Sequence, residues 1–195
     1  MTHKKKVGIF GGSFDPIHWG HLNMAVSLME ACALDQVLFV TAGVSPFKEK
    51  TPPAVSGKHR LHMVELAICG IKSFAALDWE IESEGPSYTI DTVRRLSKDP
   101  SLQLHLLIGE DHLDTFHRWN EADELTRLSP PLVACRAGSR QGTPSALDSY
   151  KIPIPLFDIS ITVVRQRLIQ KKYCDYLIPA SVLDYIEKHR LYSAL

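Results

Sequence analysis

Apolar and polar positions along this chain follow two periods, and the switches between them mark a succession of strands and helices. Residues 6–10 form a short apolar run that stops at Gly11-Gly12. The segment after His18 then carries Leu22, Ala25, Leu28, Met29 and Cys32 at a spacing that puts them on one broad helical face. Between residues 36 and 41, Val37, Leu38, Phe39 and Val40 are consecutive, which predicts a strand buried on both sides, as in a parallel sheet flanked by helices. Leu61, Val64, Leu66, Ala67 and Ile68 predict a helix over 57–71. A third strand is expected over 74–81, and Ser87 is placed to cap a helix carrying Ile90, Val93 and Leu96. Residues 102–108 read as another buried strand, Ala122, Leu125 and Leu128 as a short helix, and 131–135 as a short strand. Pro153 and Pro155 confine 152–157 to a sheet edge. A helix behind residues 158–162 and a last one through Val182, Tyr185 and Ile186 complete the pattern. The regular alternation predicts an α/β fold, doubly wound, with a mostly parallel sheet and helices on both faces. The expected organisation is one domain over 1–195, with 159–195 as a C-terminal helical part.

Composition narrows the partners. The 195 residues are 45 % hydrophobic and 23 % charged, the balance of an ordinary globular domain. Lys plus Arg equals Asp plus Glu at 22 each, so no global positive field argues for a nucleic-acid partner. Cys32, Cys69, Cys135 and Cys174 are widely spaced in apolar segments, without metal-type spacing, and read as buried free thiols of a reducing compartment. The basic start Met1 to Lys6 runs straight into the first strand, and no apolar run reaches the roughly 18 residues that would span a bilayer. No membrane association and a cytoplasmic location are expected.

The chemistry concentrates at the ends of strands. Gly11, Gly12 and the Asp15-Pro16 turn can present backbone N–H groups next to a helix N-terminus, and His18 and His21 can aim their rings at the same anion. Lys48 or Lys50, in a proline-rich loop over 42–53, reads either as a ligand reaching that anion or as a solvated lysine. Tyr88 and Thr89 at a helix start fit capping and packing as well as binding. Gly109 with Asp111, just past a strand, suits a ribose, because a carboxylate accepts from hydroxyls. Trp119 is open to two readings, a core residue or a platform for a flat ring. Ser160 and Thr162 ahead of a helix, with Arg165 one turn in, make a second phosphate corner or an ordinary cap. There is no G-x-x-x-x-G-K-[ST], no G-x-G-x-x-G, no G-x-S-x-G and no H-E-x-x-H. Two phosphate corners without a P-loop point to nucleotidyl transfer, which needs in-line placement and donors for growing charge more than it needs a nucleophilic side chain.

Gly11-Gly12-Ser13-Phe14-Asp15-Pro16-Ile17-His18-Trp19-Gly20-His21 resembles the G-G-[ST]-F-D-P-x-H-x-G-H signature of the H-x-G-H nucleotidyltransferases, and residues 159–165 resemble their I-S-S-T-x-I-R motif. Ser87-Tyr88-Thr89, Gly109-Glu110-Asp111 and Trp119 are similar to the nicotinate-nucleotide adenylyltransferase branch, and the likeness runs over nearly the whole chain. The resemblance implies a Rossmann-like nucleotidyltransferase fold. It also implies condensation of ATP with nicotinate mononucleotide to nicotinate adenine dinucleotide and pyrophosphate, with Mg²⁺ carried mainly on the ATP phosphates and no protein metal site. By the same likeness His18, His21 and Arg165 are catalytic, while Gly11, Gly12, Ser13, Lys48, Gly109, Asp111, Ser160 and Thr162 bind ATP. Tyr88, Thr89, Trp119 and the backbone of Asn120 then hold the mononucleotide. The chain departs from the pattern at Phe47, where a histidine is usual, and at Ile161, where a serine is usual. A nicotinamide mononucleotide or phosphopantetheine enzyme, or a noncatalytic nucleotide binder on the same scaffold, are the alternatives.

Overall fold

A computed structural model describes residues 4–43, 52–83, 85–136 and 147–193. Among the described residues six strands form one sheet: β1 (Lys5–Gly12), β2 (Gln36–Thr41), β3 (Phe74–Leu77), β4 (Leu102–Gly109), β5 (Pro131–Cys135) and β6 (Lys151–Pro153), in the order β3-β2-β1-β4-β5-β6. Every neighbouring pair is parallel. Such a sheet needs a crossover behind each strand. These are helices α1 (Trp19–Ala31), α2 (Gly57–Ile68), the single turn α3 (Trp79–Glu82), α4 (Thr89–Leu96), α5 (Ala122–Leu128) and, after β6, α6 (Ile161–Ile169) and α7 (Ala180–Lys188).

The alternation of β1 sorts its side chains between two cores. Val7 and Ile9 join Leu106, Ile90, Val93 and Leu125 on the face covered by α4 and α5. Phe10 joins Phe39, Leu22, Leu28, Met63, Val164 and Ile186 on the face covered by α1, α2, α6 and α7. Ile9, Phe39 and Leu28 are fully buried, each worth about 1.5–3 kcal/mol of apolar burial. The predicted parallel sheet with helices on both faces is the architecture found. The chain reverses its direction of travel across the sheet between β1 and β4, so the crevice for a ligand opens at the carboxyl ends of those two strands.

Several local expectations change. The third strand ends at Leu77, because Asp78 turns into the helical region (φ −96°, ψ −5°) and opens α3. Helix α4 starts at Thr89 with Tyr88 in the capping position; Ser87 instead accepts from the Gly43 N–H at 3.0 Å and donates to the Glu80 carbonyl at 3.3 Å. Helix α2 ends at Ile68, and its buried stripe is Arg60, Met63, Val64 and Ile68 rather than one containing Leu61. Ser160 caps α6, which puts Thr162 inside the first turn rather than ahead of it. All four cysteines are free thiols, but Cys69 is exposed and Cys32 only half-buried.

Candidate active site

The carboxyl end of β1 passes through Gly11, Gly12 and Ser13 into Phe14, whose backbone is left-handed (φ 43°) and whose ring is fully buried, edge-on to Phe10 at 5.5 Å and to His21 at 5.2 Å. That inward ring sets the floor of the site. A cis Asp15-Pro16 bond follows, and His18 takes an extended conformation (φ −148°, ψ 170°) as the residue that precedes α1. The two motif histidines are stacked, ring centroids 3.7 Å apart and 21° from parallel. The His18 backbone N–H donates to Nδ1 of His21 at 3.2 Å, so a neutral His21 carries its proton on Nε2 and offers it as a donor. His18 lies against Gly20: a Cβ there would sit 3.0 Å from both Cε1 and Nδ1 of the ring. A side chain at position 20 would press on the His18 ring, which would have to give by a few tenths of an ångström against its partner.

His18 is buried, and burial lowers its pKa to about 4, so the ring is neutral near pH 7. Its folded value lies below the unfolded value of 6.5, so the unfolded chain takes up the proton first as pH falls. Stability from this group is complete above pH 6.5 and is lost toward pH 4. Between pH 7 and pH 5 the loss should be about 2 kcal/mol. The loss of urea-unfolding stability from pH 7 to pH 5 should be about 2 kcal/mol larger in the wild type than in His18→Gln; equal losses would contradict the assignment.

The second motif meets the first through the tertiary fold. Ile159, just before α6, lies 3.5 Å from the Cβ position of Gly20, so the N-termini of α6 and α1 adjoin. The hydroxyl-bearing residues Ser160 and Thr162 are exposed there, and Ser160 makes no side-chain capping bond. Arg165, one turn further, reaches back to Asp15, Nη1 to Oδ2 at 3.4 Å. The start of α6 and a guanidinium thus approach the histidine pair at the start of α1, whose first N–H, on Trp19, is bonded to the Leu177 carbonyl at 3.0 Å; the donors of α6 and Arg165 suit a polyphosphate.

Across the switch point, β4 ends at Gly109 and a 3-10 turn over Glu110–His112 follows. Asp111 Oδ1 folds over Gly109 where a side chain would otherwise project, and the carboxylate remains largely exposed. Tyr88 and Thr89 stand half-buried at the start of α4, on the other face of the sheet from His18. Trp119 is half-buried at the margin of the α4–α5 core, its ring 5.3 Å from Phe116 and edge-on to His112 at 5.7 Å. Both expectations for this ring bear on its position: it packs on the core and is still partly accessible. Asn120 is exposed, and Glu121, with φ 52°, opens α5. Arg94 of α4 binds Glu121 and Glu124 together, so the turn holding Trp119 and Asn120 is tied to the helix that begins at Thr89. Lys48 and Phe47 lie outside the described residues.

Three side chains absent from the expected site support it from below. Asp15 is buried and accepts from the Ala54 N–H and the Tyr192 hydroxyl, each at 2.7 Å. Arg60 is buried and donates to the carbonyls of Ser13 (2.7 Å), Gly43 (3.1 Å) and Val55 (3.3 Å). An arginine in line with Met63 and Val64 was the available sign of a buried charge on α2; Tyr192 offered none beyond an aromatic after the last helix.

The comparisons agree with this geometry. A cytidylyltransferase-like family model matches residues 9–167. The nicotinate-nucleotide adenylyltransferase of Bacillus subtilis is 40 % identical over 191 residues, covering 97 % of this chain and 100 % of that protein. This chain belongs to the nicotinate-nucleotide adenylyltransferase family. A probable family member from Bacillus licheniformis is 37 % identical over 189 residues, covering 96 % of this chain and 98 % of its own. Among solved structures, the Plasmodium falciparum nicotinic acid mononucleotide adenylyltransferase complexed with NaAD shares the fold at a TM-score of 0.73 and 21 % identity, over 96 % of this chain and 97 % of that one. A putative nicotinate-nucleotide adenylyltransferase from Vibrio parahaemolyticus superposes at a TM-score of 0.72 with 18 % identity, over 98 % and 97 % of the two chains. Among the described residues no group of three or more His, Cys, Asp and Glu side chains is arranged to hold a metal ion, and no helix is long and apolar enough to cross a membrane.

Proposed function

We propose that His18, His21 and Arg165, with the N-termini of α1 and α6, form the centre that handles the ATP phosphates in the family's reaction. As a family member the chain transfers the adenylyl group of ATP to nicotinate mononucleotide, giving nicotinate adenine dinucleotide and pyrophosphate. The observation that carries the assignment is the convergence of Arg165 and the stacked histidines on one turn. An oxygen of the mononucleotide phosphate attacks the α-phosphorus of ATP, a new P–O bond forms, and the bond to the bridging α,β oxygen breaks with its electron pair leaving on pyrophosphate. A phosphate held in line is already nucleophilic, so no side-chain base is required. His18 and His21 donate to oxygens that gain charge in the transition state, and Arg165 with Ser160 and Thr162 receives the β,γ end. Gly11, Gly12 and Ser13 present backbone to the phosphates, Gly109 and Asp111 take the ribose, and Lys48, outside the described residues, is assigned to ATP by the family resemblance. Mg²⁺ enters as part of the ATP substrate and shares the charge of the leaving pyrophosphate.

The mononucleotide is read into the corner between α4 and α5, with the pyridine on Trp119 and its carboxylate toward Thr89, Tyr88 and the Asn120 backbone. The Arg94 bridge to Glu121 supports that reading, because it holds the two sides of the corner in register. The chain is taken as one nucleotidyltransferase domain over 1–195 with 159–195 as its C-terminal helical part. Four free thiols support a cytoplasmic location. Pyrophosphate release with ATP, Mg²⁺ and each of nicotinate mononucleotide, nicotinamide mononucleotide and phosphopantetheine tests the function. Release should be fastest with nicotinate mononucleotide. Activity confined to phosphopantetheine would replace the substrate, and ATP binding without release in any arm would replace the reaction.

A further inference from the structure

We propose that Tyr192 is a positioning residue for the ATP site: its hydroxyl occupies one oxygen of Asp15, which leaves Arg165 held only loosely by the other and available to phosphate. The inference rests on the assignment of Arg165 to the ATP phosphates.

Asp15 is a buried carboxylate shared by groups from four parts of the chain. Oδ1 accepts from the Tyr192 hydroxyl at 2.7 Å, across 177 residues of sequence. Oδ2 accepts from the Ala54 N–H at 2.7 Å, where the chain re-enters α2, and meets Arg165 at the longer distance of 3.4 Å. The Arg60 guanidinium supplies a further positive charge nearby. A buried carboxylate is stable only when its oxygens are occupied. Tyr192 meets that need with a neutral donor. Burial, and the Asp15 charge after it, push the phenol well above its usual range, so it keeps its proton and stays a donor. The residue is 7 % exposed and held at φ 57°, a conformation that a bulky side chain adopts only when its surroundings impose it. Leu191 reaches this position through a bond from its N–H to the Ile186 carbonyl at 2.9 Å, which closes the end of α7 and turns the chain inward.

The consequence concerns competition for a guanidinium. Arg165 is 31 % exposed at its side chain while Asp15 is 2 % exposed, so the arginine has one side toward the buried carboxylate and another toward solvent at the start of α6. With Oδ1 satisfied by Tyr192, the claim of Asp15 on Arg165 is weak enough to orient it without capturing it. Without the hydroxyl, Oδ1 is left buried and unbonded, and the carboxylate draws Arg165 inward, away from the ATP phosphates. The C-terminal segment thereby sets how much positive charge the phosphate corner presents.

The test is Tyr192→Phe, which removes one oxygen and keeps the ring. The KM for ATP should rise about five-fold, the scale expected when a hydrogen bond to a charged group is lost and part of the loss is passed on. The KM for nicotinate mononucleotide should stay within about two-fold, a split that general loosening of the fold would not produce. Arg165→Met should itself raise the ATP KM, and adding Tyr192→Phe to it should raise that KM no further, although the melting temperature still falls. An ATP KM that rises less than about two-fold, equal changes in both KM values, or an undiminished effect in the Arg165→Met background overturns the inference. If Arg165→Met leaves the ATP KM unchanged, the assignment of Arg165 to phosphate fails and the inference fails with it. If Arg165→Met acts and Tyr192→Phe does not, only the role of Tyr192 is lost.

Discussion

Replacing His18 with alanine is expected to lower kcat about 100- to 1,000-fold, the range seen when one preorganised transition-state donor is removed. The size follows from how completely the ring is fixed. Burial keeps it neutral, with its pKa down at about 4, so it donates without first losing a charged state to solvent. Stacking on His21 at 3.7 Å and contact with Gly20 leave it little freedom to turn. A donor held this way pays no reorganisation when charge develops on the α-phosphate oxygens, and water entering the alanine cavity would not be so placed. Pyrophosphate release at saturating ATP and nicotinate mononucleotide measures the effect. His18→Gln, which keeps most of the volume, separates lost chemistry from lost packing. A turnover unchanged in both variants would remove His18 from the reaction.

Arg60→Ala should destabilise the fold by about 3 kcal/mol, the scale expected when three part-buried carbonyls each lose a donor at about 1 kcal/mol or more. The Arg60 side chain is 1 % exposed and answers the carbonyls of Ser13, Gly43 and Val55. Deleting it leaves three acceptors without a donor and takes a positive charge away from the buried Asp15. The effect is not confined to stability, because Ser13 closes the turn after β1 and Gly43 begins the loop after β2. Urea unfolding monitored by far-UV circular dichroism should show the loss. Arg60→Lys should recover little of it, since an ammonium cannot serve three carbonyls spread around a planar fork. A loss below about 1 kcal/mol would mean that water replaces the guanidinium.

The legible part of the fold was the part written in short-range periodicity. Consecutive apolar residues at 37–40 announced a strand buried on both sides, and β2 is one. The Gly11-to-His21 stretch announced strand, turn and helix, and the structure has β1, the turn and α1 there. Structure departs from the local pattern where a residue's preference is overruled by a distant partner. Ser87 is a good cap by composition, yet its hydroxyl is engaged by Gly43 and Glu80 instead. Residues 78–81 carry a strand-like apolar pattern, but Trp79–Glu82 form a helical turn in which Glu80 accepts from Thr92 at 3.0 Å. The candidate site divides in the same way. Gly11, Gly12, His18 and His21 are neighbours in sequence and therefore in space. The approach of Ile159 and Arg165 to them depends on how α6 is laid across the sheet.

The alternation of strands with helices, the glycine-rich turn with two histidines after the first strand, and the hydroxyls and arginine that open a later helix are all written in the local pattern of the chain. Those features depend on backbone propensities and side-chain periods that act over a few residues. Long-range packing sets the point between β1 and β4 where the strand order reverses, the burial of Arg60 against three carbonyls, and the division of Asp15 between Tyr192, Ala54 and Arg165. The physical reason is that a buried polar group must find a partner, but which one it finds depends on what folding brings near it. For Asp15 that partner is 177 residues away.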